Sequence, residues 1–121
     1  MNNDTLEITQ EDKEMSDIIL KILKFQNFVL LMSWGFTSAV VIKQGLRFET
    51  NGFIHKGIVE IYYDQGEDLF DIRLLNKDNQ IIKLINHVYV DELVEILDLN
   101  IEKVNNYNER VNQEYNLSNE E

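Results

Sequence analysis

Residues 58–85 constrain this chain more than any other stretch. Val59, Ile61 and Tyr63 alternate with Glu60, Tyr62 and Asp64, and Phe70, Ile72 and Leu74 then alternate with Asp71 and Arg73. Successive side chains of a strand point to opposite faces, so each run reads as half-buried. Gln65-Gly66-Glu67-Asp68 between them is turn material, with Gly66 free to take a positive φ. A one-residue slip would turn an apolar set towards water, so few registers are allowed. Pairing Val59 with Leu74, Ile61 with Ile72 and Tyr63 with Phe70 keeps both sets on one face. It also puts Glu60 opposite Arg73 and Tyr62 opposite Asp71. An opposite-charge pair across strands contributes roughly 0.2–1 kcal/mol.

A third strand is expected over residues 80–85, after the turn Asn76-Lys77-Asp78. Ile72 opposite Ile82 and Phe70 opposite Leu84 keep the core face apolar, and Asp71 then faces Lys83. Ile81 and Ile85 are left on the outer face, where another part of the chain or a partner would cover them.

The flanks supply the covering helices. Thr9 is a plausible N-cap, with Asp12 three residues on. Met15, Ile18, Ile19, Ile22, Leu23 and Phe25 follow at helical spacing. Asn27 is expected to stop this helix, which makes residues 28–32 a buried strand and Trp34-Gly35-Phe36-Thr37 a connection. The alternative is a helix running through to Ser33. Residues 39–42 read as a strand, Gln44-Gly45 as a turn, and residues 46–50 as an alternating strand with Leu46 and Phe48 inward. Asn51-Gly52 and His55-Lys56-Gly57 bend the chain before the meander. Asp91 is the expected N-cap of the last helix, whose stripe is Leu93, Ile96, Leu97, Ile101 and Val104. Asparagines then accumulate, and asparagine is a poor helix former.

The expected fold is therefore α+β. An N-terminal helix, an antiparallel β-meander of about five or six short strands and a C-terminal helix follow in order, with both helices packed on one sheet face. Residues 1–10 read as a disordered tail, 11–107 as a single α+β domain, and 108–121 as a frayed helix end with an acidic, Asn-rich tail.

Charge bounds the partners. The 121 residues carry a formal charge of −11. Affinity for nucleic acid comes largely from Lys and Arg on phosphates, so direct nucleic-acid binding is disfavoured, as is an anionic membrane. An acidic surface can instead attract a basic protein. There are no cysteines, which excludes disulfides and thiol chemistry and suits a reducing cytoplasmic interior. The first 17 residues lack the basic and apolar regions of a secretory signal. Residues 25–42 are uncharged, but Gln26, Asn27, Ser33, Gly35, Thr37 and Ser38 interrupt them, so they read as helix end and strands and not as a membrane span.

Two stretches carry a resemblance. Asp68-Leu69-Phe70-Asp71-Ile72 after a glycine turn, and Val88-Tyr89-Val90-Asp91-Glu92-Leu93 opening the last helix, resemble a pattern in small uncharacterised α+β proteins of phages and mobile elements. The likeness covers roughly residues 46–104. It implies the same order of elements and a setting inside a bacterial cell. It implies no activity, and no functional residue carries over.

Candidate chemistry is sparse. His55 and His87 are the only histidines and have no metal-ligand spacing. Both read as ordinary turn or surface residues. Asp64, Glu67, Asp68 and Asp71 cluster at one turn, which would suit a metal-dependent hydrolase but equally a solvated loop. No catalytic residue, metal ligand or cofactor is assigned. Asp91, Glu95, Asp98 and Glu102 lie at i, i+4, i+7 and i+11 of the last helix, where like charges mildly destabilise it. The row suits docking of a basic protein, or simply a solvated face. Trp34 suits a core edge or an exposed anchor. The expected function is a non-enzymatic interaction protein binding a basic partner through Asp91, Glu95, Asp98 and Glu102. The alternatives are a homodimer built on Ile81 and Ile85, and a small metal-dependent hydrolase.

Overall fold

A computed structural model describes residues 7–102. Its elements are α1 (Gln10–Ser33), β1 (Thr37–Ile42), β2 (Gly45–Asn51), β3 (Lys56–Asp64), β4 (Leu69–Leu75), β5 (Ile81–Val88), a single 3-10 turn (Val90–Glu92) and α2 (Leu93–Ile101). The strands form one antiparallel sheet in the order β1-β2-β3-β4-β5. The α+β meander is as the alternation predicts. Residues 1–6 of the expected N-terminal tail, the whole of the expected tail 108–121 and Val104 lie outside the described residues, and the expected tail ends short of residue 10, since Thr9 caps α1 and Gln10 begins it.

The β3–β4 register is the expected one throughout: Val59 faces Leu74, Glu60 faces Arg73, Ile61 faces Ile72, Tyr62 faces Asp71 and Tyr63 faces Phe70. The positive φ of the connecting turn falls on Asp68 (58°), not on Gly66. Aspartate tolerates this region, and the Tyr63 hydroxyl donates to its carboxylate.

Both helices cover one face. Phe48, Val59, Ile61, Phe70, Ile72 and Leu74 from the sheet pack with Ile19, Leu23, Leu31 and Trp34 of the first helical arm and with Leu93, Val94, Leu97 and Ile101 of α2. Helix α1 starts where Thr9 caps it. The Thr9 hydroxyl accepts from the Asp12 N–H at 3.1 Å, and the Asp12 carboxylate accepts from the Thr9 N–H at 2.9 Å.

The expected strand over residues 28–32 is instead the second half of α1. Asn27 does leave the helix (φ −168°, ψ 90°), but its side chain then accepts from the Leu30 N–H and starts a new turn. Asparagine therefore acts as stop and cap at once. The kink redirects the helix so that Leu31 and Trp34 reach the core.

The register of β5 also differs from expectation. Ile72 faces Ile85, Phe70 faces Val88 and Leu74 faces Lys83, with irregularities between Phe70 and Ile72 and between Leu74 and Leu75. Each bulge adds a residue to β5, which lengthens the strand to Val88 and shifts the pairing. Ile85 consequently turns inward and packs against the core, while Ile81 stays exposed. Asp71 does not face Lys83. Its carboxylate accepts from the His87 N–H, at the bulge where His87 takes φ 63°. Lys83 donates to Asn100 of α2.

Asp91 does not cap α2. It lies in the 3-10 turn, and Glu92 occupies the cap position without a side-chain bond. The cap comes from the other helix: Gln26 accepts from the Val94 N–H and donates to the Val90 carbonyl. At the far end of α2 the Ile101 carbonyl accepts from both Ile54 and His55 N–H. This approach requires glycine at 52, where a Cβ would lie 2.3 Å from the Ile101 oxygen. His55 is buried in this loop, with its Nε2 2.9 Å from the Ile58 carbonyl, and so is not a surface residue.

Candidate functional site

Three places gather polar side chains, and they differ in how much of their bonding capacity is already used. The first lies on the sheet face opposite the helices. Register places Val40, Arg47, Glu60, Arg73 and Leu84 in one row across all five strands. Glu60 is only 5% exposed although no helix covers it among the described residues. Its carboxylate takes Arg47 at 2.9 Å, Arg73 at 3.1 Å and the Tyr62 hydroxyl at 2.7 Å. The Arg73 guanidinium also donates to the Tyr62 hydroxyl and lies over its ring. Burial, then the bond to Glu60, raises the Tyr62 pKa. The sequence foresaw Glu60 with Arg73 but not Arg47. One glutamate against two arginines leaves the cluster with a formal charge of +1, and Arg73 Nε is buried without a hydrogen-bond partner among the described residues, while the Glu60 carboxylate is fully engaged.

The second place surrounds Asp12, in a concavity lined by Thr9, Met15, Ile18, Lys43, Gln44 and Tyr63. Asp12 is buried and its two oxygens accept from the Thr9 N–H, Lys43 Nζ and the Gln44 N–H. It ties the start of α1 to the β1–β2 turn. The Thr9 amide first, then Gln44 and Lys43, hold its carboxyl well below the usual carboxylate range, against the opposing effect of burial. A depressed carboxyl stabilises the fold above its unfolded value of 3.8 and loses that contribution as pH falls through the folded value. Wild type should therefore lose melting temperature steadily below about pH 4, and Asp12→Ala should lose much less over the same interval. Thermal melts of both proteins across that range check this; parallel curves contradict it.

The third place is a groove of about 540 Å³ between the two helices. Phe25, Gln26, Asn27 and Leu30 line it from α1, and Asp91, Val94, Glu95, Asp98 and Leu99 from the α2 side. Three of the four acids in the expected row therefore meet here. Glu102 does not: it turns to accept from the Phe53 N–H at 3.3 Å. Burial first, and then the nearby Asp98 charge, raise its pKa. Asp98 also accepts from Trp34 Nε1 at 2.9 Å, which holds one groove acid in place from the core. Trp34 is thus a core residue, not an exposed anchor. Asp91 and Glu95 are exposed.

On the groove's other wall Phe25 is 92% exposed beside the polar Gln26 and Asn27. Phe28, Val29 and Met32, outside the groove's lining, are also more than half exposed. Sequence reasoning missed the part that Leu30 plays in this wall because it placed residues 28–32 in the sheet.

The remaining candidates are not brought together. Ile81 and Ile85 point to different faces, and the exposed apolar neighbours of Ile81 on β5 are Ile82 and Leu84. At the acidic turn Asp64 accepts from the Gly66 and Glu67 N–H, Asp68 holds Tyr63, and Glu67 lies 3.4 Å from His87. Among the described residues no three His, Asp or Glu side chains are placed to hold a metal ion, and no helix is long and apolar enough to cross a membrane. Comparison with family models, with characterised proteins and with solved structures gave no match.

Proposed function

We propose that this protein is a non-enzymatic binding module that engages a basic protein through the groove between α1 and α2. One observation carries the reading: Asp91, Glu95 and Asp98 stand on one wall of a groove that also exposes Phe25 and Leu99. Such a site offers charge for encounter and specificity, and apolar area for affinity. Glu60 and Asp12 at the other two places are committed to internal contacts, whereas Asp91 and Glu95 face solvent. The resemblance to phage and mobile-element proteins is the ground for placing the partner inside a bacterial cell.

Matched charge reversals test the proposal. The groove variant is Asp91→Lys with Glu95→Lys, and the control is Glu49→Lys with Asp78→Lys, two exposed acids away from the groove. Both change net charge equally. Basic proteins captured from bacterial extract at low salt should be lost at moderate salt. The groove variant should bind them at least about tenfold more weakly, and the control should bind them nearly as well as wild type. Equal loss in both variants, or capture indifferent to both, contradicts a localised acidic site.

A further inference from the structure

The sheet is open, and its two edges are built differently. β5 carries the devices that keep an edge from pairing: Lys83, two irregularities in its ladder and the positive φ of His87. β1 has fewer. Its residues include no charge and no proline, and its one irregularity lies between Thr37 and Val40, where Ser38 takes φ 59°. Val40, Val41 and Ile42 then pair regularly with β2. Val40 is 49% exposed on the outer face, and Val41 is 36% exposed on the helix face. Among the described residues no strand lies beyond β1, and residues 37–42 make no hydrogen bond outside their ladder with β2. Their outward N–H and C=O groups form a strand-shaped row of donors and acceptors, which another strand is built to satisfy.

We propose that β1 pairs antiparallel with β1 of a second copy of this chain, which joins two five-stranded sheets into one across a two-fold axis. Chemistry selects the copy over a charged partner. An axis near Val40 sets Val40 against its own image and Ala39 against Val41, so neither face of the new pair brings two charges together. A basic strand would find no carboxylate on β1 to meet. The half-exposed flanks of Val40 and Val41 leave water together when the strands pair. Opposing this is the charge of −11 on each copy, which repels at a distance and is screened by salt. The pairing is therefore weak at low salt and tighter at high salt. That is the reverse of the salt response expected for a basic partner at the groove, so the two readings stand or fall separately.

Sedimentation velocity of the full chain across a concentration series provides the test. A monomer–dimer equilibrium should appear, with a dissociation constant at least about threefold lower at high salt than at low salt. Val40→Lys sets a charge against its own image at an exposed position, so the melting temperature should hold while the dimer weakens at least about tenfold. Ile82→Lys makes the same change of net charge on the β5 edge and should leave the dimer intact. Amide hydrogen exchange over residues 39–42 should slow as protein concentration rises. A monomer at every concentration in high salt overturns the proposal, as does a dimer that survives Val40→Lys or is broken by Ile82→Lys. Slow exchange over residues 39–42 that does not change with concentration would mean that another part of the same chain covers the edge, and overturns it as well.

Discussion

Truncating Trp34 to alanine should cost about 3–5 kcal/mol of stability, the largest single loss we expect in the described domain. The side chain is fully buried at the end of α1, and the residue makes one side-chain and two backbone hydrogen bonds. Its indole N–H donates to Asp98 of α2, its backbone N–H to Leu30, and its carbonyl accepts from the Asn51 N–H of β2. Alanine keeps the backbone bonds but leaves a cavity where helix, helix and sheet meet. Domains of this size have about 5–15 kcal/mol in all, so much of the margin goes. Denaturant unfolding should show the midpoint fall with little change in slope. Trp34→Phe should cost less, about 1–2 kcal/mol, because Asp98 is partly exposed and water replaces the lost donor. A melting temperature within a few degrees of wild type for Trp34→Ala would contradict this packing.

The second large effect should come from a charge and not from a hydrophobe. Glu60→Ala leaves Arg47 and Arg73 side by side without their shared carboxylate. Removing one partner of a fully buried pair costs about 3–5 kcal/mol. Here the arginine side chains are 30% and 36% exposed and can turn to water, so about 2–3 kcal/mol is expected. Arg47→Ala should cost clearly less, since Glu60 keeps Arg73 and Tyr62. Arg73→Ala should fall between, because it also removes the contact over the Tyr62 ring. The order Glu60, Arg73, Arg47 is the testable content, read from unfolding free energies of the three variants. Equal losses would mean that the carboxylate is not shared.

The same cluster marks how far sequence reaches. The β3–β4 register was legible because polar and apolar residues alternate strictly on both strands and one glycine-containing turn joins them. Arg47 was not foreseen at Glu60, because nothing in the sequence fixed how β2 pairs with β3. The β5 register failed for a physical reason. Ile81, Ile82, Leu84 and Ile85 put apolar residues on both faces, so alternation no longer selects a register and the bulges decide it. At Asn27 the sequence signal was sound and its consequence misread, since one asparagine both ends and restarts a helix. The acidic row was visible as spacing on α2. The wall facing it was not, because the contacts that join the two helices span long stretches of chain: Gln26 bonds to Val90 and Val94, 64 and 68 residues away. Glu102 left the row for the same kind of reason, drawn to the loop that docks on the end of α2.

The groove is the central claim, and amide chemical-shift mapping of the isotopically labelled protein with a Lys-rich peptide addresses it most directly. The predicted result is a contiguous set of perturbed amides over residues 25–30 and 91–99, weakened by Asp91→Lys with Glu95→Lys, while β1 and β5 stay unmoved. Perturbations centred on Ile81, Ile82 and Leu84, or spread evenly over every acidic surface, would contradict it.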